Sequence, residues 1–468
     1  MGETPRSLSL SAHHVNQESP RSGAPVVVVG AGFAGASAAF YMAEAGRRVC
    51  LLEAGRLPGG RARSFLDHRS GLELDWGPHL FMKANPALRD FLERIGAAPS
   101  LHFAPSLDLT FRLQDASVQG GIRTERLRFP RWGGSLGGAL ALFRWRGPGL
   151  RAQLEILRGL LRAASAGENS VGDGESVAQF LTRLGQGESA RVWFWEPFSR
   201  AVLNLPMDMG SGELFRRVVV EAFGSGPGGA TLGSPELPMR TFWTERAVQS
   251  IRKLGGEVRM KTPVRRIRIE GGTARGVVLR GGEFLEAAAV ITAVPPPALF
   301  TMLPASLRRE APWRDFGRLR PSPIASAYMW LERPSAGPSF EALVNEPWQW
   351  LFRPGGRRES PEEPVALLAG GVDSVAAAPR DEIVASARET ASRLLPGAGI
   401  RRVVAVREKA ATWANGAEEQ AWRPAPQTPV PGLILAGDWT ATGLPATCEG
   451  AVRSGRRAAE ALLGVAVV

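Results

Sequence analysis

The stretch from Val26 to Glu53, VVVVGAGFAGASAAFYMAEAGRRVCLLE, constrains the fold more than any other. Four valines run into Gly30-x-Gly32-x-x-Gly35, an alanine-rich segment follows, and Val49-Cys50-Leu51-Leu52 resumes before the acid Glu53. The pattern predicts a strand, a tight turn, a helix and a second, parallel strand. Gly30 permits the turn, Gly32 lets a pyrophosphate approach the backbone, and Gly35 lets the helix pack closely on the strand. Dinucleotide phosphates would then sit at the positive end of the helix dipole, over the free N–H groups around Phe33 and Ala34. Glu53 follows the last strand residue at the offset from Gly35 where a carboxylate accepting the adenosine ribose hydroxyls is expected, with Ala54 beside it. Its charge would repel a 2′-phosphate, which favours FAD or NAD over NADP. A glycine triplet alone is weak, and an ordinary βαβ unit is the plainer alternative; strand, helix and acid at these offsets argue against it.

Leu57-Pro58-Gly59-Gly60-Arg61-Ala62-Arg63-Ser64 comes next. This segment resembles the second dinucleotide signature of the flavin amine oxidase and phytoene desaturase superfamily, and nicotinamide dehydrogenases lack it. Gly59 and Gly60 allow a further backbone approach, and Arg61 or Arg63 can neutralise pyrophosphate charge. Solvated surface is the plain alternative for the arginines, and it fits Arg63 better than Arg61. The resemblance implies an α/β chain: a Rossmann-like FAD-binding domain with a discontinuous α+β substrate domain. On that expectation residues 25–105, 234–300 and 425–468 form the FAD-binding domain. Residues 106–233 and 301–424 form the substrate-binding domain, and 1–24 a disordered tail.

A chain of 468 residues, 44% hydrophobic, can bury a large core without staples. Its two cysteines, Cys50 and Cys448, make no disulfide framework or metal pattern, so a reducing cytoplasm is the expected compartment. The formal charge is +12, yet only Lys83, Lys253, Lys261 and Lys409 among the 57 basic residues are lysines. Such an arginine bias reads as a property of the coding genome, and no nucleic-acid-binding motif accompanies it. A positive surface can still attract anionic lipid headgroups. The stretch from Met1 to Ala24 lacks the apolar core of a signal peptide. Val26 to Ala45 would pass a hydropathy scan for a membrane span, but its three glycines assign it to the nucleotide turn.

Further along, Asp75-Trp76-Gly77-Pro78-His79 closes a strand-like run from Phe65. It resembles the superfamily's loop beside the flavin ring, which implies cofactor contacts at Gly77 and Pro78 and marks His79 among the five histidines. A hydrogen-bonded structural histidine is the plain alternative. Alternation predicts strands at Leu107 to Leu113 and Thr124 to Phe129. From Pro130 a glycine-rich apolar stretch interleaves Trp132, Phe143 and Trp145 with Arg131, Arg144 and Arg146. A helix from Arg151 to Ala164 follows, with Leu154, Leu157, Leu160 and Leu161 on one side. These features suit peripheral attachment to a membrane, and slightly better a helix packed on a substrate-domain core. Trp193-Phe194-Trp195-Glu196-Pro197-Phe198 could line an apolar tunnel or simply fill a core. Gly224 to Gly233 reads as the return crossing between domains. A helix and a three-stranded meander are expected across Ala247 to Pro296, and the resemblance implies that Val264 meets adenine through its backbone. Pro323 to Arg333 and Trp348 to Phe352 read as strands, and Asp381 to Leu395 as a helix.

Near the end, Leu433-Ile434-Leu435-Ala436-Gly437-Asp438 is a strand opening into a turn with a carboxylate at its tip, and a last helix starts around Pro445 to Gly450. The resemblance places Gly437 and Asp438 at the ribityl or pyrophosphate region, with Thr447 and Cys448 as donors toward the flavin's N1/O2 edge. A positive helix end there would stabilise an anionic reduced flavin. A reactive-thiol role for Cys448 has little behind it. Together AGDWTATGLPATCEGAVRSGRRAA, WEPFSRAVLNLP and PIASAYMWLERP resemble the hydroxysqualene dehydroxylases, also called squalene-associated FAD-dependent desaturases, from Val26 nearly to the end. The chain departs from that pattern at Trp76 and Pro78, where Asn and Gln are expected.

The resemblance implies reductive removal of an allylic hydroxyl from hydroxysqualene, a long hydrophobic isoprenoid, in hopanoid or sterol biosynthesis. His79 is the candidate proton donor or its positioner. With a single complete dinucleotide fingerprint there is no second site for NAD(P)H, and the external electron donor stays unassigned. The rival readings are a carotenoid or phytoene-type desaturase, an amine oxidase, and a prenyl-lipid-binding module of the GDP-dissociation-inhibitor kind without flavin chemistry. A cytoplasmic protein, peripheral on the inner face of the membrane, is the expected setting.

Overall fold

The computed structural model describes residues 23–466 except 116, 119–120, 131–133, 166, 168–169, 225–227, 354–362 and 414. The expected tail, Trp132 and part of the Gly224 to Gly233 crossing lie outside the described residues.

The valine run forms the middle of a five-stranded parallel sheet in the order Glu257–Arg259, Val49–Leu52, Val26–Val29, Ala289–Thr292, Leu433–Leu435. All four valines are buried, as an apolar run without alternation requires when both faces are covered. Successive side chains go to opposite faces. Val26 and Val28 join a cluster with the helices Phe33–Glu44 and Cys448–Leu463. Val27 and Val29 pack with Val277, Leu299, Trp313 and Trp439 on the other side, where the meander Val264–Glu270, Thr273–Leu279 and Phe284–Glu286 lies.

The Phe33–Glu44 helix is buried from Phe33 to Ala43, as expected of a helix that is apolar all round. Its one polar interior residue, Ser37, donates to the carbonyls of Phe33 and Ala34. The C-terminal helix crosses it where Gly455 comes so close that a Cβ would stand 2.2 Å from the Ala34 carbonyl oxygen.

A second layer is a seven-stranded sheet in the order Ile400–Trp413, Pro321–Leu331, Val365–Gly370, Trp350–Phe352, Phe340–Leu343, Asp108–Gln114, Ile122–Arg128. All its pairings are antiparallel except that of Phe340–Leu343 with Asp108–Gln114. The helices Gly134–Arg144, Leu150–Ser165, Val177–Arg183, Glu196–Leu203 and Gly212–Phe223 pack beside it. Beyond the crossing, Leu232–Pro235 pairs with both Phe81–Met82 and Leu101–Phe103.

Two open alternatives are decided in favour of the core, at Trp145 and at Trp193 to Trp195, and two local expectations are corrected, at the Leu150–Ser165 helix and at Pro445. Trp145 is 1% exposed and stacks on Phe111, so it is a core residue rather than a surface anchor. In the Leu150–Ser165 helix the buried stripe is Ala152, Ile156, Gly159 and Ala163, while Leu161 faces outward; small residues let the helix approach its neighbours. Trp193, Phe194 and Trp195 are buried against Phe198, Phe215 and each other, and Trp195 donates to Gln186 Oε1 at 2.7 Å. They fill the core. Pro445 lies outside the last helix, two residues before its N-cap Thr447.

Candidate functional site

The fingerprint turn is built as its glycines require. Gly30 has φ +101° and a Cβ there would stand 2.9 Å from the Ala293 carbonyl oxygen. At Gly35 a Cβ would overlap the Gly30 carbonyl at 1.8 Å. Gly32 is different, since a Cβ there would meet Gly60 Cα at 3.9 Å and nothing nearer. Gly60, from the second signature, faces it, and a Cβ on that residue would lie 3.3 Å from Gly32 Cα. The two glycines thus touch at the N-terminus of the Phe33–Glu44 helix, and neither puts a side chain over the main chain there. The loops are clamped there, because Gly59 N–H donates to the Ala31 carbonyl at 2.8 Å and Trp243 Nε1 donates to the Ala62 carbonyl at 3.0 Å. Phe33 stacks on Trp243 with centroids 3.8 Å apart. Its ring and Ala34 are buried in the core, so at the helix start these residues offer main chain.

Glu53 follows directly on the strand Val49–Leu52. Its Oε2 accepts from Ala31 N–H at 3.0 Å and its Oε1 from Gly55 N–H at 2.7 Å. Further lone pairs remain on both oxygens. Its carbonyl accepts from Thr262 N–H at 2.8 Å, which brings the segment leading to buried Val264 alongside. Ala54 is exposed next to it.

Arg61 reaches across the molecule to Asp438, Nη2 to Oδ1 2.7 Å, and donates through Nη1 to the Ala411 carbonyl at 2.8 Å. Burial opposes its charge, but Asp438 outweighs that and holds the Arg61 pKa above its ordinary value. Arg63 takes a different course and lies over the Trp76 ring, 4.6 Å from its centroid. Gly437, at φ +147°, donates its N–H to Ser454 Oγ at 2.8 Å. Thr447 caps the last helix, its Oγ1 accepting from Gly450 N–H at 3.1 Å. The N–H groups of the helix's first turn, from Cys448 onward, have no acceptor within the helix. Burial, with Asp438 adding to it, pushes the Cys448 thiol up to about 12, so the sulfur is a neutral thiol rather than a nucleophile.

Two site residues were not legible in the sequence. Arg423 is buried and donates to the carbonyls of Asp438, Trp439 and Leu444. Burial brings its pKa down to about 10, opposed by Asp438. Arg61 thus meets the Asp438 carboxylate while Arg423 holds the main chain of the same residue. Glu449, 2% exposed, caps another helix, accepting from Leu88 N–H at 2.7 Å and from Arg453 at 3.1 Å. Nothing in either local sequence separates such groups from surface charges.

The Asp75 to His79 loop rests on the second layer. Asp75 Oδ1 accepts from Ser64 Oγ and Met239 N–H, both at 2.8 Å, and the Asp75 carbonyl accepts from Tyr328 OH at 2.8 Å. Gly77 passes Ser326 so closely that a Cβ would stand 3.1 Å from its Oγ, and Pro78 is half-buried beside it. Among the described residues, His79 Nδ1, Trp76 Nε1 and Ser326 Oγ are buried without a hydrogen-bond partner. Each such group costs about 1–3 kcal/mol, and three in one loop and the strand under it call for a ligand or water. Burial lowers the His79 pKa and raises that of Asp75, each partly offset by the other.

The sequence model of the family described as flavin containing amine oxidoreductase matches residues 33–463. The chain belongs to that family. It is a flavin-dependent oxidoreductase, and its two-layer α/β architecture is the family's. Among relatives of this flavin oxidoreductase, a hydroxysqualene dehydroxylase from Sinorhizobium fredii is 29% identical over 94% of this chain and 98% of its own length. A 15-cis-phytoene desaturase from Glycine max is 24% identical over 95% of this chain and 80% of its own. An oxidoreductase from Methanosarcina mazei shares the fold with a TM-score of 0.73 at 18% identity, over 92% of this chain and 98% of that one. No helix among the described residues is long and apolar enough to cross a membrane.

Proposed function

We propose that this chain binds FAD and carries out the reductive dehydroxylation of hydroxysqualene to squalene. The observation that carries the reading is the end-to-end likeness to hydroxysqualene dehydroxylase, over 94% of this chain and 98% of the relative. The phytoene desaturase is matched at lower identity over 80% of its length.

The residues present suit the cofactor. A pyrophosphate suits the side-chain-free main chain that Gly32 and Gly60 present where they touch, at the positive end of the helix that Gly32 begins. Glu53 stands for the ribose hydroxyls and the backbone of Val264 for adenine, with Gly30, Gly35 and Ala54 shaping the approach. Arg61, Asp438 and the buried Arg423 supply the charge. The last helix, starting at Thr447 and Cys448, presents main-chain donors where negative charge would build up on reduction. When bound and reduced, FAD supplies a hydride.

The chain's own residues do the rest. In the substrate the allylic C–O bond breaks with its electron pair on oxygen. A proton from the buried His79 and Asp75 pair joins that oxygen, which leaves as water, and the hydride completes the C–H bond. Burial disfavours charge on both members and each opposes that effect in the other, so Asp75 is the group that favours a proton on His79 in this apolar site. The substrate is a hydrocarbon apart from its hydroxyl, so peripheral attachment to a membrane belongs to the same reading. The electron donor is an external reductant.

Anaerobic, photoreduced protein incubated with hydroxysqualene should yield squalene with reoxidation of a flavin spectrum. Desaturation of phytoene by the oxidised protein, with no squalene from the reduced one, would overturn this in favour of a desaturase. Flavin-loaded His79→Phe should lose at least about 100-fold in rate; undiminished dehydroxylation would remove His79 from the mechanism.

A further inference from the structure

The helix Gly134–Arg144 has two apolar sides, and among the described residues only one of them is covered. Ala141 and Leu142 enter the core with Trp145 just past the helix end, and Gly138 lets Phe129 approach, 3.6 Å from where a Cβ would stand. On the other side Leu136 is 84% exposed, Leu140 42% and Phe143 42%. Spacings of four and three place these three on one face of the helix. Leu150, at the start of the next helix, is 65% exposed. Isolated exposed leucines need no explanation, but an aligned row with an aromatic does.

The charge along this stretch of chain is mostly of one sign. From 130 to 162 the basic residues are Arg131, Arg144, Arg146, Arg151, Arg158 and Arg162, and the acidic one is Glu155. Glu155 pairs with Arg151, whose side chain is nonetheless 94% exposed. Arg144, Arg146 and Arg158 are exposed too.

We propose that this face docks on an anionic lipid surface, with Leu136, Leu140 and Phe143 entering the headgroup–acyl boundary and Arg144 and Arg146 meeting lipid phosphates. Charge decides the occupant. A second copy of the chain, at +12, would set arginine against arginine, whereas a bilayer supplies apolar depth and negative charge together. The inference rests on the proposed apolar substrate, which such docking would draw from the lipid phase without an aqueous step. It also moves the contact from Trp145 and the leucines of Leu150–Ser165 to the preceding helix.

Flotation of the full-length holoprotein with vesicles tests the surface. At about 0.1 M salt, where charges still act over about 10 Å, it should float with vesicles of phosphatidylcholine mixed with phosphatidylglycerol. It should remain behind with phosphatidylcholine alone. Arg144→Gln with Arg146→Gln should weaken partitioning about 30-fold. Leu136→Ser, Leu140→Ser and Phe143→Ser together should abolish flotation, since each exposed apolar side chain contributes about tenfold. These positions face solvent, so the variants keep the fold, checked by an unchanged melting temperature. The same samples are assayed on detergent-dispersed hydroxysqualene, where the variants should match the parent. Failure of the parent to float, or flotation of the triple variant, overturns the docking face whatever the activity; failure to convert hydroxysqualene by a floating parent strikes the proposed reaction instead.

Discussion

Gly455→Ala puts a single methyl group between the two helices whose N-termini belong to the proposed flavin site. On the existing backbone that carbon would lie 2.2 Å from the Ala34 carbonyl oxygen and from Ser37 Oγ, and 3.0 Å from Ala38 N. Ordinary carbon contacts begin near about 3.5 Å, so the helices would have to part by roughly 1 Å at the crossing. Helix propensity points the other way, favouring alanine over glycine by about 0.8–1.0 kcal/mol. The clash should win, because overpacking a filled core costs about 1–3 kcal/mol and two of the obstructing atoms are backbone. The third, the Ser37 hydroxyl, is held by the Phe33 and Ala34 carbonyls. The Phe33–Glu44 helix cannot yield, since it is buried along nearly its whole length. We expect a net loss of about 2 kcal/mol, seen as a lower melting temperature of the flavin-depleted protein. If the two helix ends lose their spacing in the same measure, flavin affinity falls about 30-fold, read by quenching of flavin fluorescence during titration. A variant that melts at or above the parent temperature and binds flavin as tightly would show that the crossing is compliant and that propensity governs it.

Gly32→Ala probes the phosphate-facing main chain without the fold. Gly32 has φ −79°, which alanine adopts freely, and the added carbon would meet only Gly60 Cα at 3.9 Å; the flavin-depleted protein should melt as the parent does while flavin affinity drops at least about tenfold. An unchanged affinity would place the pyrophosphate elsewhere. Asp67 concerns acid stability. The Arg402 hydrogen bonds hold its carboxyl well below the usual carboxylate range, with burial opposing and Ser70 assisting. A lowered folded-state pKa contributes stability that is present above the unfolded value of about 3.9 and lost as pH falls toward the folded one. Asp67→Asn should thus cost about 2 kcal/mol at pH 7, and its melting temperature should converge on the parent's below about pH 4. A gap independent of pH would assign the loss to packing.

The Val26 to Glu53 unit was legible because its constraints are local. A strand, a turn with φ +101° at Gly30, a helix dipole and a carboxylate at a fixed offset follow from bond geometry and side-chain period. The same holds for the meander after Val264 and for the strand before Asp438. What only the tertiary structure decided is which of many equivalent groups meet. Arg61 and Asp438 are 377 positions apart, and Glu449 reaches Leu88 across 361. Arg61 and Arg63 share a motif, yet one finds a carboxylate and the other an indole ring. Phe143 and Trp145 are two residues apart in an apolar stretch, and packing against Phe111 draws Trp145 inward while Phe143 stays in contact with solvent. Periodicity assigns a residue to a face, but the partner that covers the face comes from elsewhere in the chain, and only close packing of distant segments selects it.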